Sequence, residues 1–209
     1  MSAVAIPNQE VQAAPAVREG FADPVPLGLL GYGMTTVLLS LANATVFDVS
    51  TMVLAMAVFF GGVAQVIVCV MAYRNANTFA VTAFGGYGFL WITLGMLTIG
   101  ADHGWADPSS DTGMGFYLII WAVFSFGLMV LSTVAPRVLT GVLALTVVLL
   151  SVLAVANWAD SATLLKIGGW EGVLTGVSAV YLAFAFLLND TFGRTVLPVG
   201  EPLARGAAR

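Results

Sequence analysis

Tyr32, Thr36, Ser40 and Asn43 stand at intervals of four, four and three residues in an otherwise apolar stretch. That spacing puts all four on one face of an α-helix. In apolar surroundings such a stripe has two uses. The polar groups can bond back to their own helix and tie it to its neighbours, or they can border a hydrated path. Four members ending in an asparagine favour the path. Gln65 lies mid-way along a second apolar run, where an unpaired amide would cost several kcal/mol in hydrocarbon. It must face protein or water, either as an interhelical tie or as pore lining. Glu171, Thr175 and Ser178 share a third face, with Glu171 expected in the first turn of the last apolar run and reaching interfacial water.

The chemistry that is missing narrows the class. The one histidine, His103, falls between apolar runs, and no run carries a charge near its centre. Bis-histidine haem ligation and a histidine-rich intramembrane metal site are thereby excluded. HExxH, GxSxG, Walker A and Rossmann patterns do not occur, nor do paired intramembrane aspartates. The single cysteine, Cys69, sits inside an apolar run, so it reads as a buried structural thiol with no disulfide or zinc partner. No enzyme, cofactor or metal is expected. A net charge of −4 argues against a nucleic-acid partner. What remains is a passive or secondary pathway for a small solute.

The elements that must position these residues are membrane-spanning helices. The 209 residues are 59% hydrophobic and 9% charged, against about 25% charged in a soluble domain. A span needs about 20 apolar residues. Six runs qualify: Leu27–Phe47, Thr51–Ala72, Thr78–Gly100, Gly113–Thr133, Val138–Trp158 and Gly169–Leu188. The expected organisation is an N-terminal cytoplasmic tail over 1–22, a six-helix membrane domain over 23–192 and a C-terminal cytoplasmic tail over 193–209. Both tails carry prolines and no apolar run, and they read as disordered.

Lysine and arginine set the orientation. With six spans, the tails and the loops after the second and fourth spans share one side. That side holds Arg18, Arg74, Arg137, Arg194, Arg205 and Arg209, six of the seven cations. The other side keeps Lys166 and collects Asp48, Asp102, Asp107, Asp111 and Asp160. Both termini are therefore expected in the cytoplasm of a multi-pass plasma-membrane protein.

The 23 glycines point to close helix packing, as in Gly172-Val-Leu-Thr-Gly176. Two denser clusters, Phe59-Phe60-Gly61-Gly62 and Phe84-Gly85-Gly86-Tyr87-Gly88, either pack tightly or loosen their helices so that backbone groups line a cavity.

The stretch Asp23-Pro24-Val25-Pro26-Leu27-Gly28-Leu29-Leu30-Gly31-Tyr32-Gly33-Met34-Thr35-Thr36 resembles the acetate uptake transporter family, which includes bacterial succinate–acetate permeases and fungal acetate and ammonia-export proteins. The resemblance continues through Phe60-Gly61-Gly62-Val63-Ala64-Gln65, Asn77-Thr78-Phe79 and Thr82-Ala83-Phe84-Gly85-Gly86-Tyr87-Gly88, and ends with Phe192-Gly193-Arg194-Thr195-Val196-Leu197-Pro198. It implies a homohexameric ring in the lipid bilayer, with a separate path in each protomer for acetate and other small carboxylates, possible succinate transport included. It also implies a hydrophobic constriction from Tyr32, Tyr87 and a fifth-helix leucine. Leu145 in Leu145-Thr146-Val147 matches, with a one-residue shift of register as the alternative. Asp23, Thr35, Thr36, Ser40 and Gln65 would border the path. Two positions depart from the family pattern. Asp23 replaces an asparagine and adds a negative charge at the entrance, and Ser40 stands where bacterial permeases carry asparagine.

An acetate anion is costly to strip of water in a hydrophobic neck, whereas the protonated acid loses most of that cost. With no titratable group expected mid-span, the proton would travel with the substrate or with water. A channel for ammonia or another small neutral solute is the alternative, and a non-transporting scaffold is the third reading.

Overall fold

The computed structural model describes residues 22–105 and 107–204, and those residues form an all-α bundle. Six helices are long and apolar enough to cross a membrane. They are α1 (Val25–Asn43), α2 (Thr51–Arg74), α3 (Thr78–Asp102), α4 (Asp111–Val134), α5 (Arg137–Trp158) and α6 (Ala162–Phe192). The tail expected over 1–22 lies outside the described residues except for Ala22.

Helix ends follow local chemistry. Pro26 opens α1, where a missing N–H costs nothing. Side-chain oxygens of Asn77, Ser110 and Ser161 accept from backbone N–H groups in the first turns of α3, α4 and α6. Thr45, at φ 63°, turns the chain just after α1, so α1 stops at Asn43 rather than Phe47. The largest boundary difference is in α6. Its Ser161 cap starts the helix seven residues before the expected Gly169, so Lys166 is helical and Glu171 lies in the third turn.

The two glycine clusters behave differently. Met56–Ala64 of α2, which holds Phe59-Phe60-Gly61-Gly62, winds as a π-helix. Phe84–Gly88 stays inside the regular α3 helix. On the α1–α6 seam the backbones nearly touch. A Cβ on Gly33 would lie 2.7 Å from the Gly176 carbonyl oxygen, and one on Gly176 would lie 2.6 Å from that of Gly33. Only glycine allows that approach.

The C-terminal segment corrects the expectation of a disordered tail. The Asn189 side chain accepts from the N–H groups of Val196 and Leu197 and donates to the Leu197 carbonyl. The N–H of Val138 then donates to the Val199 carbonyl at 3.0 Å, and those of Leu203 and Ala204 to Thr133. One asparagine near the end of α6 thus folds the chain back over the α4–α5 turn, and residues 193–204 close that end of the bundle.

Helix α1 packs on α6 and α2, α2 on α3, α4 on α5, and α5 on α6. No Cα of α5 comes within 8 Å of a Cα of α1 or α3. The space between them is the site.

Candidate functional site: a conduit with an aromatic neck

Three cavities follow one another through this space. The first, about 370 Å³, opens beside Asp23, Asn77 and Ser132 and runs in to Tyr32, Tyr87 and Thr146. Those three residues also border the second, a small cavity of about 50 Å³ that continues past Thr36, Ser40 and Trp91. A third, about 290 Å³, shares Asn43, Leu94 and Leu153 with the second and adds Thr98 and Asn157. The neck is where the first two meet.

Its wall comes from three helices, with a fourth packed behind it. Tyr32 of α1 and Tyr87 of α3 are 7% and 5% exposed, with ring centroids 5.2 Å apart and planes at 43°. Phe124 of α4 meets Tyr87 edge-on at 5.5 Å. Thr146 of α5 completes the ring.

The direction of the hydroxyl bonds gives the neck a polarity. Thr146 donates its one proton to the Val142 carbonyl at 2.8 Å, so Tyr32 is the donor in its 2.7 Å bond to Thr146. Tyr87 donates to Ser125 Oγ at 2.9 Å, and Ser125 donates to the Trp121 carbonyl at 2.8 Å. Both phenol protons are committed to the helix wall. Each phenol oxygen keeps lone pairs, so the neck accepts hydrogen bonds more readily than it donates them.

The expected path residues divide. Thr36 and Ser40 border the second cavity, though the Thr36 hydroxyl donates to the Tyr32 carbonyl at 2.7 Å. Asp23 stands at the mouth of the first cavity, with one carboxylate oxygen accepting from the Val25 N–H at 3.0 Å. Thr35 and Gln65 are fully buried away from these cavities. The Thr35 hydroxyl faces the Met56 carbonyl at the start of the π segment, and Gln65 Nε2 donates to the Gly61 carbonyl at 2.6 Å. Thr35 joins α1 to α2, whereas Gln65 bonds within α2 and leaves its Oε1 without a hydrogen-bond partner among the described residues; neither borders these cavities.

On α5 the expected Leu145 is half-buried and borders none of the three cavities. Each residue turns a helix by about 100°, so its neighbour Thr146 faces the neck in its place. Glu171 is half-buried in α6. Its Oε1 accepts from Thr175 at 2.9 Å, and its Oε2 is buried without a hydrogen-bond partner among the described residues. It is a deeper group than the interfacial residue expected. The sequence reading missed Ser125 and Trp91, which stand among apolar neighbours, and reached Thr146 only through the one-residue shift of register beside Leu145.

Six helices able to cross a membrane, with a row of cavities between them, fit a multi-pass membrane protein. Comparison with known proteins then places it. The GPR1/FUN34/yaaH family model matches residues 7–201, and the chain belongs to that family. It is 42% identical over 180 residues to the succinate-acetate/proton symporter SatP of Escherichia coli strain K12, covering 86% of this chain and 96% of that protein. It is 37% identical over 182 residues to ammonia transport outward protein 2 of Saccharomyces cerevisiae, covering 82% of this chain and 64% of that one. Among solved structures it matches the bacterial acetate channel SatP with a TM-score of 0.85 at 41% identity, over 87% of this chain and all of the other.

Proposed function

We propose that each protomer conducts small monocarboxylic acids, acetate foremost, through the Tyr32–Tyr87–Thr146 neck. The observation that carries this reading is a buried conduit whose neck has only phenol, hydroxyl and apolar groups, in a chain 42% identical to a succinate-acetate/proton symporter. Such a neck offers no counter-ion to an anion, and its phenol oxygens are free to accept. A protonated acid supplies the missing donor and avoids most of the desolvation cost. The proton therefore crosses the neck on the substrate.

The cation distribution of the loops supports cytoplasmic termini in a plasma membrane. The first cavity then faces the cytoplasm, and Asp23 guards it. The family supports a ring of six protomers, and the exposed apolar faces of α2 and α4 supply surface for lipid or a neighbouring protomer. Cysteine labelling from outside intact cells, in a Cys69→Ser background, should mark position 109 and spare position 200. Native mass measurement in mild detergent should give six chains.

The deciding test is radiolabelled acetate uptake into proteoliposomes, with and without a pH gradient. Uptake above empty vesicles, increased by external acid, is expected. No uptake would favour a scaffold. The yeast relative named for ammonia transport gives the second reading, in which ammonia moves and unlabelled carboxylates do not compete.

A further inference from the structure

Glu171 is the one acidic side chain among the described residues that lies well inside a span, and the neck makes no use of it. Its depth can be read from its neighbour. A Cβ on Gly172 would lie 3.0 Å from Leu149 Cδ1 and against Ser40 Oγ. Leu149 stands near the centre of the 22-residue α5, a helix about 33 Å long. Glu171 therefore sits near the middle of a hydrocarbon layer about 30 Å thick.

The carboxyl group is sparsely partnered there. Thr175, fully buried one turn on, donates to Oε1 at 2.9 Å, and the buried Oε2 has no hydrogen-bond partner among the described residues. The surrounding helices bring no cation to balance a charge. Helix α6 packs on α1 and α5. Helix α1 has no charged residue and only Tyr32 that can titrate, while α5 has only Arg137, at its far end. On α6 itself Lys166 is exposed and turned about 140° from Glu171. Tyr181 and Asp190 lie toward the other end of that helix.

An ionised carboxylate in this setting would be an unpaired charge in hydrocarbon. The neutral acid leaves at most one O–H without a partner, which is far less costly. Because Oε1 already accepts from Thr175, the proton belongs on Oε2.

We propose that Glu171 is a resident proton-binding site, a carboxylic acid at neutral pH with its proton on Oε2, set in α6 outside the three cavities. This proton is held rather than carried, and it differs from the one that crosses the neck on the substrate. Its loss would put a charge next to Gly172, whose contacts Ser40 and Leu149 both border the second cavity. The held proton thus keeps that wall of the path intact.

The protonation state can be read directly. The chain has four glutamates, of which Glu10, Glu19 and Glu201 fall outside the six spans in sequence. The full-length protein is made by cell-free synthesis with carbon-13 at the glutamate δ position and placed in lipid bilayers. Solid-state NMR then separates protonated from ionised carboxyl carbons. At pH 7 three signals should be ionised and one protonated, and the protonated one should vanish in Glu171→Gln. Four ionised carboxyls in the wild type would overturn the proposal. If Glu171→Gln does not fold, the wild-type spectrum decides the matter.

Two further readouts separate a held proton from a carried one. A folded protein that keeps this proton binds one more than the unfolded chain, so rising pH favours unfolding. From pH 5 to 8 the wild type should lose about 2–4 °C of thermal stability per pH unit relative to Glu171→Gln. Parallel profiles would remove the site. Acetate uptake driven by a pH gradient should persist in Glu171→Gln within about twofold of wild type. Its loss in the folded variant would make the proton a transported one and overturn the resident role. A wild type that carries no acetate would overturn the pathway alone, since the spectrum does not depend on it.

Discussion

Helices α1 and α4 are both apolar and of similar length, but the glycines midway along α1 and Gly127 of α4 do opposite things. In α1, a Cβ on Gly33 would meet the α6 backbone, and one on Gly31 would lie 2.7 Å from the Phe60 carbonyl oxygen. In α4, nothing lies within 4 Å of the position a Cβ would take on Gly127. Half of the central window of α1 is buried, against 28% for α4, whose Phe116, Ile120 and Val123 point outward. Helix α1 is a structural axis that also carries the neck. Helix α4 lines the cavities on one side and leaves an apolar outer face exposed. Glycine in an apolar run therefore marks a contact only where a neighbour fills the space a Cβ would take, a backbone at Gly33 and an aromatic ring at Gly28.

The largest expected effect breaks this contrast directly. Gly33→Leu must force α1 and α6 apart, and no folded protein should survive solubilisation and size-exclusion chromatography. Gly127→Leu should leave a folded six-helix chain of unchanged thermal stability. Equal yields for the two variants would show that the α1–α6 seam is not as close as the geometry requires.

The neck comes next. Tyr87→Phe keeps the ring against Tyr32 and Phe124 and deletes one oxygen from the path. Acetate flux per folded protein should fall several-fold, since a hydrogen bond to a desolvated solute is worth about 1 kcal/mol. Wild-type flux in this variant would make Tyr87 a packing residue.

A smaller change is expected on the other side of the neck. Thr146→Val removes the oxygen that takes the Tyr32 proton and leaves the packing volume almost unaltered. The Tyr32 O–H is then free to turn into the path, where it can donate to a carboxylate. Acetate flux should decline less steeply from pH 5 to 7, with a change in the ratio of about two- to threefold. A profile parallel to that of wild type would mean that the phenol proton does not set the polarity of the neck.

The legible and illegible parts of this site differ for a physical reason. Six spans could be read because about 20 apolar residues in a row have few other fates. The stripe from Tyr32 to Asn43 could be read because its period matches a helix and its members border one cavity. Thr146 and Ser125 could not, because a lone hydroxyl in an apolar run bonds its own helix equally well with or without a tyrosine nearby. Their role is a property of the pair, and the pairs are separated by 114 and 38 residues. The start of α6 was misplaced because hydropathy follows the bilayer, whereas the helix follows its Ser161 cap. The π-helical stretch in α2 escaped for a similar reason, since glycine density marks weak points without saying which hydrogen-bond register replaces the regular one.

The smallest expected effect concerns Leu145, where sequence register and geometry part. If the leucine narrowed the path, Leu145→Ala would admit lactate more readily, because the side-chain bulk lost would be at the narrowest point. The geometry predicts otherwise. Leu145 borders none of the three cavities, while Leu143, 4% exposed, borders the first one beside the neck. The lactate-to-acetate flux ratio, normalised to folded protein, should be unchanged in Leu145→Ala and raised in Leu143→Ala. Buried leucine-to-alanine changes cost about 2–5 kcal/mol, so yield alone cannot separate the two variants, but the ratio can. A raised ratio in Leu145→Ala with none in Leu143→Ala would turn α5 by one residue or more and restore the leucine to the neck. The reverse result would place the selective bulk of α5 at Leu143, beside the Thr146 hydroxyl, rather than at Leu145.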